Sequence, residues 1–199
     1  MIFLKLFKYD IRFNTFLKKG VKPLNDNFFI AMICGAQGTG KNTWALMLVL
    51  DSNKKIYTNI RSMNIPNREI IYFTRIEEIY SYDDDNSIFI IDECSKKWFK
   101  ESKQDKAFYS WLMQSRKHRR EVYTIWQEYL QTPSWVRGVA NKVYTTHKTF
   151  FGLCVTSLGT PVLTEDTKEW TTINHKYIIY KRTAKLCSYY DTFERINSL

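Results

Sequence analysis

Glycine and proline are scarce in this chain, at 7 and 4 of 199 residues. That scarcity excludes a collagen-like or low-complexity segment and makes any cluster of glycines informative. Cysteine is sparse as well. Cys34, Cys94, Cys154 and Cys187 stand far apart, form no CxxC pair and have no histidine at metal-ligand spacing. A zinc knuckle and a disulfide scaffold are both excluded on that count, and a reducing, cytoplasmic setting is expected. The three histidines, His118, His147 and His175, show no ligand spacing either. No stretch approaches the roughly 18 to 20 consecutive apolar residues that cross a membrane. The first 19 residues, interrupted by Lys5, Lys8, Asp10 and Arg12, lack the continuous apolar centre of a secretory leader.

Acidic residues are outnumbered: 30 Lys and Arg stand against 20 Asp and Glu, a formal charge of +10 with a pI near 9.4. Such an excess suits a polyanionic partner, either nucleic acid or an anionic membrane surface. Aromatic residues are abundant, with 13 Tyr, 13 Phe and 6 Trp, enough for a bulky core and for stacking surfaces. The length fits one domain with its own core.

Along the chain, short apolar runs alternate with helical patterns, which predicts an α/β fold built on a mostly parallel sheet with flanking helices. Strands are expected over Phe28–Cys34, Lys55–Ile60, Glu69–Phe73, Ser87–Ile91, Glu121–Trp126 and Lys142–Phe150. Helices are expected over Thr43–Leu50, Arg75–Tyr80 and Lys106–Arg120. The tail from Trp170 to Tyr180 alternates as one or two antiparallel edge strands. The chain divides into an N-terminal basic and aromatic segment (1–27), a core (28–150) and a β-rich C-terminal addition (151–199), all within one domain.

The strongest motif is Gly35-Ala36-Gln37-Gly38-Thr39-Gly40-Lys41-Asn42-Thr43, which follows a predicted strand and opens a helix. That context is what a phosphate-binding P-loop requires. Its glycines let successive backbone N–H groups converge on one anion, and the helix N-terminus adds partial positive charge. Lys41 is placed to reach the β- and γ-phosphates of ATP. The next position, ordinarily a Ser or Thr whose hydroxyl meets Mg²⁺, is Asn42. Either its carboxamide oxygen takes that role or Thr43 does.

The run Ile88–Ile91 ends in Asp92-Glu93. After a P-loop, the Asp is the metal-binding carboxylate, and a Glu beside it can polarise an attacking water. Further on, Gln114-Ser-Arg116-Lys-His-Arg119-Arg120 precedes a strand that ends at Gln127. In a parallel sheet that end faces the ligand crevice. Gln127 is therefore a candidate for the γ-phosphate or the water, and Arg116 for neutralising transition-state charge on a neighbouring subunit's nucleotide.

GAQGTGKNT, IFIIDE and SRKHRREVYTIWQ, in that order, resemble the FtsK–HerA superfamily of DNA-pumping P-loop ATPases, whose fold is RecA-like. Members commonly carry an Arg eleven residues before the motif Gln, as Arg116 stands before Gln127. The segment Thr132–Arg137 is similar to the stretch that follows that Gln and often bears another Arg. The small size resembles the viral genome-packaging branch, and Ile56-Tyr57-Thr58-Asn59-Ile60 is similar to zonular occludens toxin-like assembly ATPases of filamentous phages. Three positions depart from the pattern: Asn42, and the pair Arg119 and Arg120, where relatives often have Gly or an aromatic residue.

The resemblance implies a ring of five or six subunits with ATP and Mg²⁺ bound between them, Lys41, Glu93, Arg116 and Gln127 acting in catalysis, and Asn42 and Asp92 on the metal. DNA would be gripped without regard to sequence by Lys96, Lys97, Trp98, Phe99, Lys100 and Lys103; the basic tail of Lys176, Lys181, Arg182 and Lys185 either belongs to the same surface or is simply solvated. A capsid, portal or membrane protein would dock the ring. The expected function is ATP-driven packaging of a viral genome. The alternatives are a zonular occludens toxin-like assembly and DNA-export ATPase, or a nucleotide-binding protein whose Asn42 has removed turnover.

Overall fold

The computed structural model describes residues 12–13, 28–94, 102–148, 153–164, 167, 169–181 and 183–191. Its strands are β1 (Arg12–Phe13), β2 (Phe29–Cys34), β3 (Ile56–Thr58), β4 (Ile70–Tyr72), β5 (Ile88–Ile91), β6 (Glu121–Trp126), β7 (Lys142–Lys148), β8 (Leu153–Leu163) and β9 (Trp170–Lys181). The α-helices are α1 (Lys41–Val49), α2 (Ser102–Gln114), α3 (Ser134–Val139) and α4 (Ala184–Cys187), with a 3₁₀ helix over Ile76–Ser81. One nine-stranded sheet runs β4-β3-β5-β6-β2-β7-β8-β9-β1. From β4 to β7 every pairing is parallel, whereas β7-β8 and β8-β9 are antiparallel.

The central strands are apolar along their whole length because both faces of the sheet are covered. Alternate residues of β2 divide between two cores: Phe29, Ala31 and Ile33 pack with α1 and the C-terminal segment, whereas Ile30, Met32 and Cys34 pack with α2 and α3. Helix α1 is buried on nearly every side, from Thr43 to Val49, which explains a sequence apolar all round rather than on one stripe. Trp44 lies between the rings of Tyr144 and Tyr180, 5.6 and 5.2 Å away between centroids.

Three elements differ from expectation. The helix predicted over Lys106–Arg120 is α2 and ends at Gln114. Beyond it the chain must turn so that Arg120 can enter the core, and Arg119 takes a left-handed φ of 51° to do so. Strand β8 is missing from the sequence reading because Gly159 and Pro161 look like breakers. In the sheet they are accommodated by a register shift between Leu158 and Thr160, the usual place for such residues in a strand. The short helix α3 is a second element that the sequence pattern does not announce.

Candidate active site

Strand β6 lies between β2, which leads into the glycine loop, and β5, which leads into the acidic pair. All three are parallel, so their C-terminal ends open on one crevice. Backbone bonds tie the three ends together. The Gly35 N–H donates to the Gln127 carbonyl at 3.3 Å, and the Cys94 N–H donates to the Ile125 carbonyl at 3.1 Å. Lys41, Asn42, Asp92, Glu93 and Gln127 thus come from distant parts of the sequence to one place.

The glycine loop turns through left-handed backbone at Gly38 (φ 76°) and Gly40 (φ 92°), the latter capping α1. Ala36, Gln37 and Gly38 line its exposed outer side, whereas Thr39 is turned inward, its hydroxyl 2.8 Å from both the Ala36 carbonyl and Thr146 Oγ1. Thr146 in turn donates to the Cys34 carbonyl. Lys41 folds over the loop and donates to the carbonyls of Gly35 and Ala36 at 2.8 and 3.1 Å. Burial lowers its pKa, while Asp92, Cys34 and Glu93 pull it back up.

Asn42 donates through Nδ2 to Asp92 Oδ2 at 2.7 Å, so the residue that replaces the usual hydroxyl touches the acidic pair directly. Thr43 does not share that position. It is fully buried and its hydroxyl meets that of Tyr190, while Tyr180 donates to the Gly40 carbonyl at 3.3 Å. The alternative in which Thr43 replaces Asn42 toward the metal finds no support in this arrangement. Asp92 is 6% exposed. Glu93 projects into the crevice with φ 54°, a conformation that costs a non-glycine residue about 1 kcal/mol or more. Burial raises its pKa, Asp92 adds to the rise and Lys41 opposes it.

The basic module sits elsewhere. Arg116, Lys117 and Arg119 occupy the exposed turn before β6, at the opposite end of that strand from Gln127. Six strand residues separate the two ends by roughly 20 Å. The structure therefore does not bring Arg116 to its own chain's crevice. Arg120 is 2% exposed, donates to the Tyr82 carbonyl at 2.7 Å and lies over the rings of Phe89 and Trp111. It holds the core together and cannot extend to another subunit. Arg137 lies over the Tyr129 ring.

Lys96, Lys97, Trp98, Phe99 and Lys100 lie outside the described residues, as does Arg182, and Lys103 falls in α2. Lys176, Lys181 and Lys185 are exposed. His118 pairs with Asp85 at 2.9 Å and His175 with Thr172. Among the described residues no group of three or more His, Cys, Asp or Glu gathers to hold a metal unaided, and no helix is long and apolar enough to cross a membrane. Asn59, whose side chain bonds the Asp92 backbone twice, and Thr146 are members of this site that motif reasoning did not single out. A polar residue directly after an apolar strand was the available signal for Asn59.

No curated protein matches the chain. Among solved structures, the N-terminal domain of zonular occludens toxin from Neisseria meningitidis is similar at a TM-score of 0.57 and 19% identity, over 82% of this chain and 99% of that one. The RadB recombinase is similar at 0.51 and 17%, over 75% and 86%. The genome packaging NTPase B204 from Sulfolobus turreted icosahedral virus 2, in complex with AMPPCP, scores 0.48 at 9% identity, over 74% and 98%. The first two likenesses bear out the expected fold, that of the RecA-like P-loop NTPases. Of the two resemblances carried by the sequence, the family match falls on the one marked by Ile56–Ile60, and the FtsK–HerA branch is not specifically shown. The family described as zonular occludens toxin (Zot) matches residues 29–185, from the strand before the glycine loop to the last helix, and the chain belongs to that family.

Proposed function

We propose that this protein is an ATPase that drives DNA movement during assembly of a virus or phage particle, working as a ring of five or six copies. The observation that carries the reading is the convergence of Lys41, Asn42, Asp92, Glu93 and Gln127 on one crevice around a glycine loop. Membership of the Zot family favours assembly and export of phage DNA over packaging of a genome into a capsid.

In this reading the loop amides and the N-terminus of α1 hold the phosphates of ATP, and Lys41 leaves the Gly35 and Ala36 carbonyls to pair with them. Asp92 and the Asn42 carboxamide both present hard oxygen atoms. They fit Mg²⁺, which takes few protein ligands and completes its shell with phosphate and water. The ion, when bound, neutralises charge on the phosphate oxygens. Glu93 accepts the proton of the attacking water, for which it must be ionised. Gln127 orients that water. Arg116, remote from its own crevice, serves the nucleotide of the next subunit across a heterologous interface. The +10 charge suits a DNA partner held through its phosphates.

The test is steady-state ATP hydrolysis at modest salt, with and without single- and double-stranded DNA, beside Glu93→Gln. Turnover that rises with DNA and disappears in the variant is expected. Tight ATP binding with no turnover in any condition would instead make this a nucleotide-binding protein.

A further inference from the structure

The ladder between β3 and β5 ends where Thr58 faces Ile90. Past that point the β3 backbone turns away, and the Thr58 hydroxyl accepts the Ile60 N–H at 3.1 Å. The Asp92 peptide follows at the end of β5, beyond that last ladder pair. Asn59 fills the place with its side chain. Its Nδ2 donates to the Asp92 carbonyl at 2.9 Å, and its Oδ1 accepts the Asp92 N–H at 2.8 Å. A carboxamide carries one donor group and one acceptor in a planar fork, so it mimics the missing backbone rung. The residue is 4% exposed, and both bonds are made in the dry interior, where they are costly to lose.

These bonds act on a stretch of the crevice that is bent out of ordinary strand geometry. Glu93 adopts φ 54°. Its N–H is taken by Asp92 Oδ1 at 2.7 Å, and the Cys94 N–H is taken by Ile125 of β6. The Asp92–Cys94 segment is therefore held from β6 on one side and by Asn59 on the other. With the Asn59 bonds removed, the Asp92 peptide loses its hold on that side. The carboxylate that meets Asn42 and the Glu93 side chain would both move with it. Both side-chain hydrogen bonds of Asn59 go to the Asp92 backbone, so its influence reaches the chemistry through Asp92.

We infer that Asn59 is a positioning residue for hydrolysis: it fixes the Asp92 peptide and, through it, the aim of Asp92 and Glu93. The inference rests on the reading of those two carboxylates as the metal-binding and water-activating pair. Displacement of a reacting group by about 1 Å costs on the order of 100-fold in rate. Asn59→Ala is accordingly expected to lower kcat by about 10- to 100-fold while ATP affinity and KM change by less than about threefold.

The experiment measures kcat, KM, ATP-analogue affinity and melting temperature for the full chain and four variants: Asn59→Ala, Asn59→Asp, Glu93→Gln and Glu121→Gln. Asn59→Asp retains the acceptor for the Asp92 N–H but not the donor, and it carries the test if the alanine variant does not fold. Glu121→Gln removes a buried ion pair with Lys54 (2.7 Å) at the far end of the sheet, so it lowers stability without touching the crevice. Loss of kcat in the Asn59 variants with binding retained, and full kcat in folded Glu121→Gln, is the expected result. If Asn59 contributed only stability, its variants would melt early yet turn over normally below the transition, like Glu121→Gln. That outcome, with Glu93→Gln inactive, overturns the positioning role and leaves the hydrolytic reading intact. Turnover retained in Glu93→Gln overturns both.

Discussion

Replacing Gly35 by alanine puts one methyl group where the structure has no room for it. A Cβ built there would lie 2.4 Å from Thr146 Oγ1, 2.6 Å from Thr39 Oγ1 and 2.7 Å from the Thr146 carbonyl oxygen. Neither hydroxyl can turn aside freely, because the two are bonded to each other and Thr146 also donates to the Cys34 carbonyl. The third neighbour is backbone of β7. Overpacking of this kind costs about 1–3 kcal/mol, and one displaced buried hydrogen bond adds about 1 kcal/mol. At about 2–4 °C per kcal/mol for a chain of this size, a total near 3 kcal/mol lowers Tm by roughly 6–12 °C. Gly38 is the control. Nothing lies within 4 Å of a Cβ built there, and only its φ of 76° resists substitution, so Gly38→Ala costs about 1 kcal/mol and roughly 2–4 °C. Thermal unfolding without nucleotide compares the two, and titration with an ATP analogue follows the loop itself. A Gly35→Ala protein that melts within about 2 °C of wild type, or above Gly38→Ala, would refute this account.

Arg120→Met strands the Tyr82 carbonyl and removes the cation–ring contacts with Phe89 and Trp111. It should cost about 2–3 kcal/mol in chemical denaturation yet leave turnover of the folded protein unchanged, whereas Arg116→Ala should abolish turnover and leave stability alone. Asn42→Thr exchanges an amide bonded to Asp92 for a compact hydroxyl. Nucleotide binding should then saturate at lower Mg²⁺, and a titration superimposable on wild type would count against Asn42 as a ligand. All four cysteines are free thiols, three of them buried, and burial pushes the Cys34 thiol up to about 12. Since only the thiolate reacts, a thiol reagent at pH 8 should label Cys187 alone in the native protein and all four after unfolding.

Much of the architecture was legible in the chain because central parallel strands are buried on both faces and so read as unbroken apolar runs. Phe29–Cys34, Ile88–Ile91 and Glu121–Trp126 all fall within a residue of where the pattern puts them. The glycine loop was legible for a similar reason. Its function needs backbone conformations that few residues other than glycine adopt, and these leave a mark in the composition itself. Strand β8 escaped because its pairing with β7 and β9 overrides the local signals of Gly159 and Pro161.

Residue type and local spacing set the chemistry on offer: a phosphate loop, a carboxylate pair, a glutamine at a strand end and several arginines. Which of these meet is a matter of how the chain packs. Packing placed β6 between the strands that carry the loop and the acids, turned Asn42 onto Asp92 and Thr43 onto Tyr190, buried Arg120 and left Arg116 at the far end of the sheet. It also brought Asn59 beside Asp92, 33 residues away in the chain. Strand order and side-chain direction arise from long-range pairing, and no local stretch of sequence encodes that pairing alone.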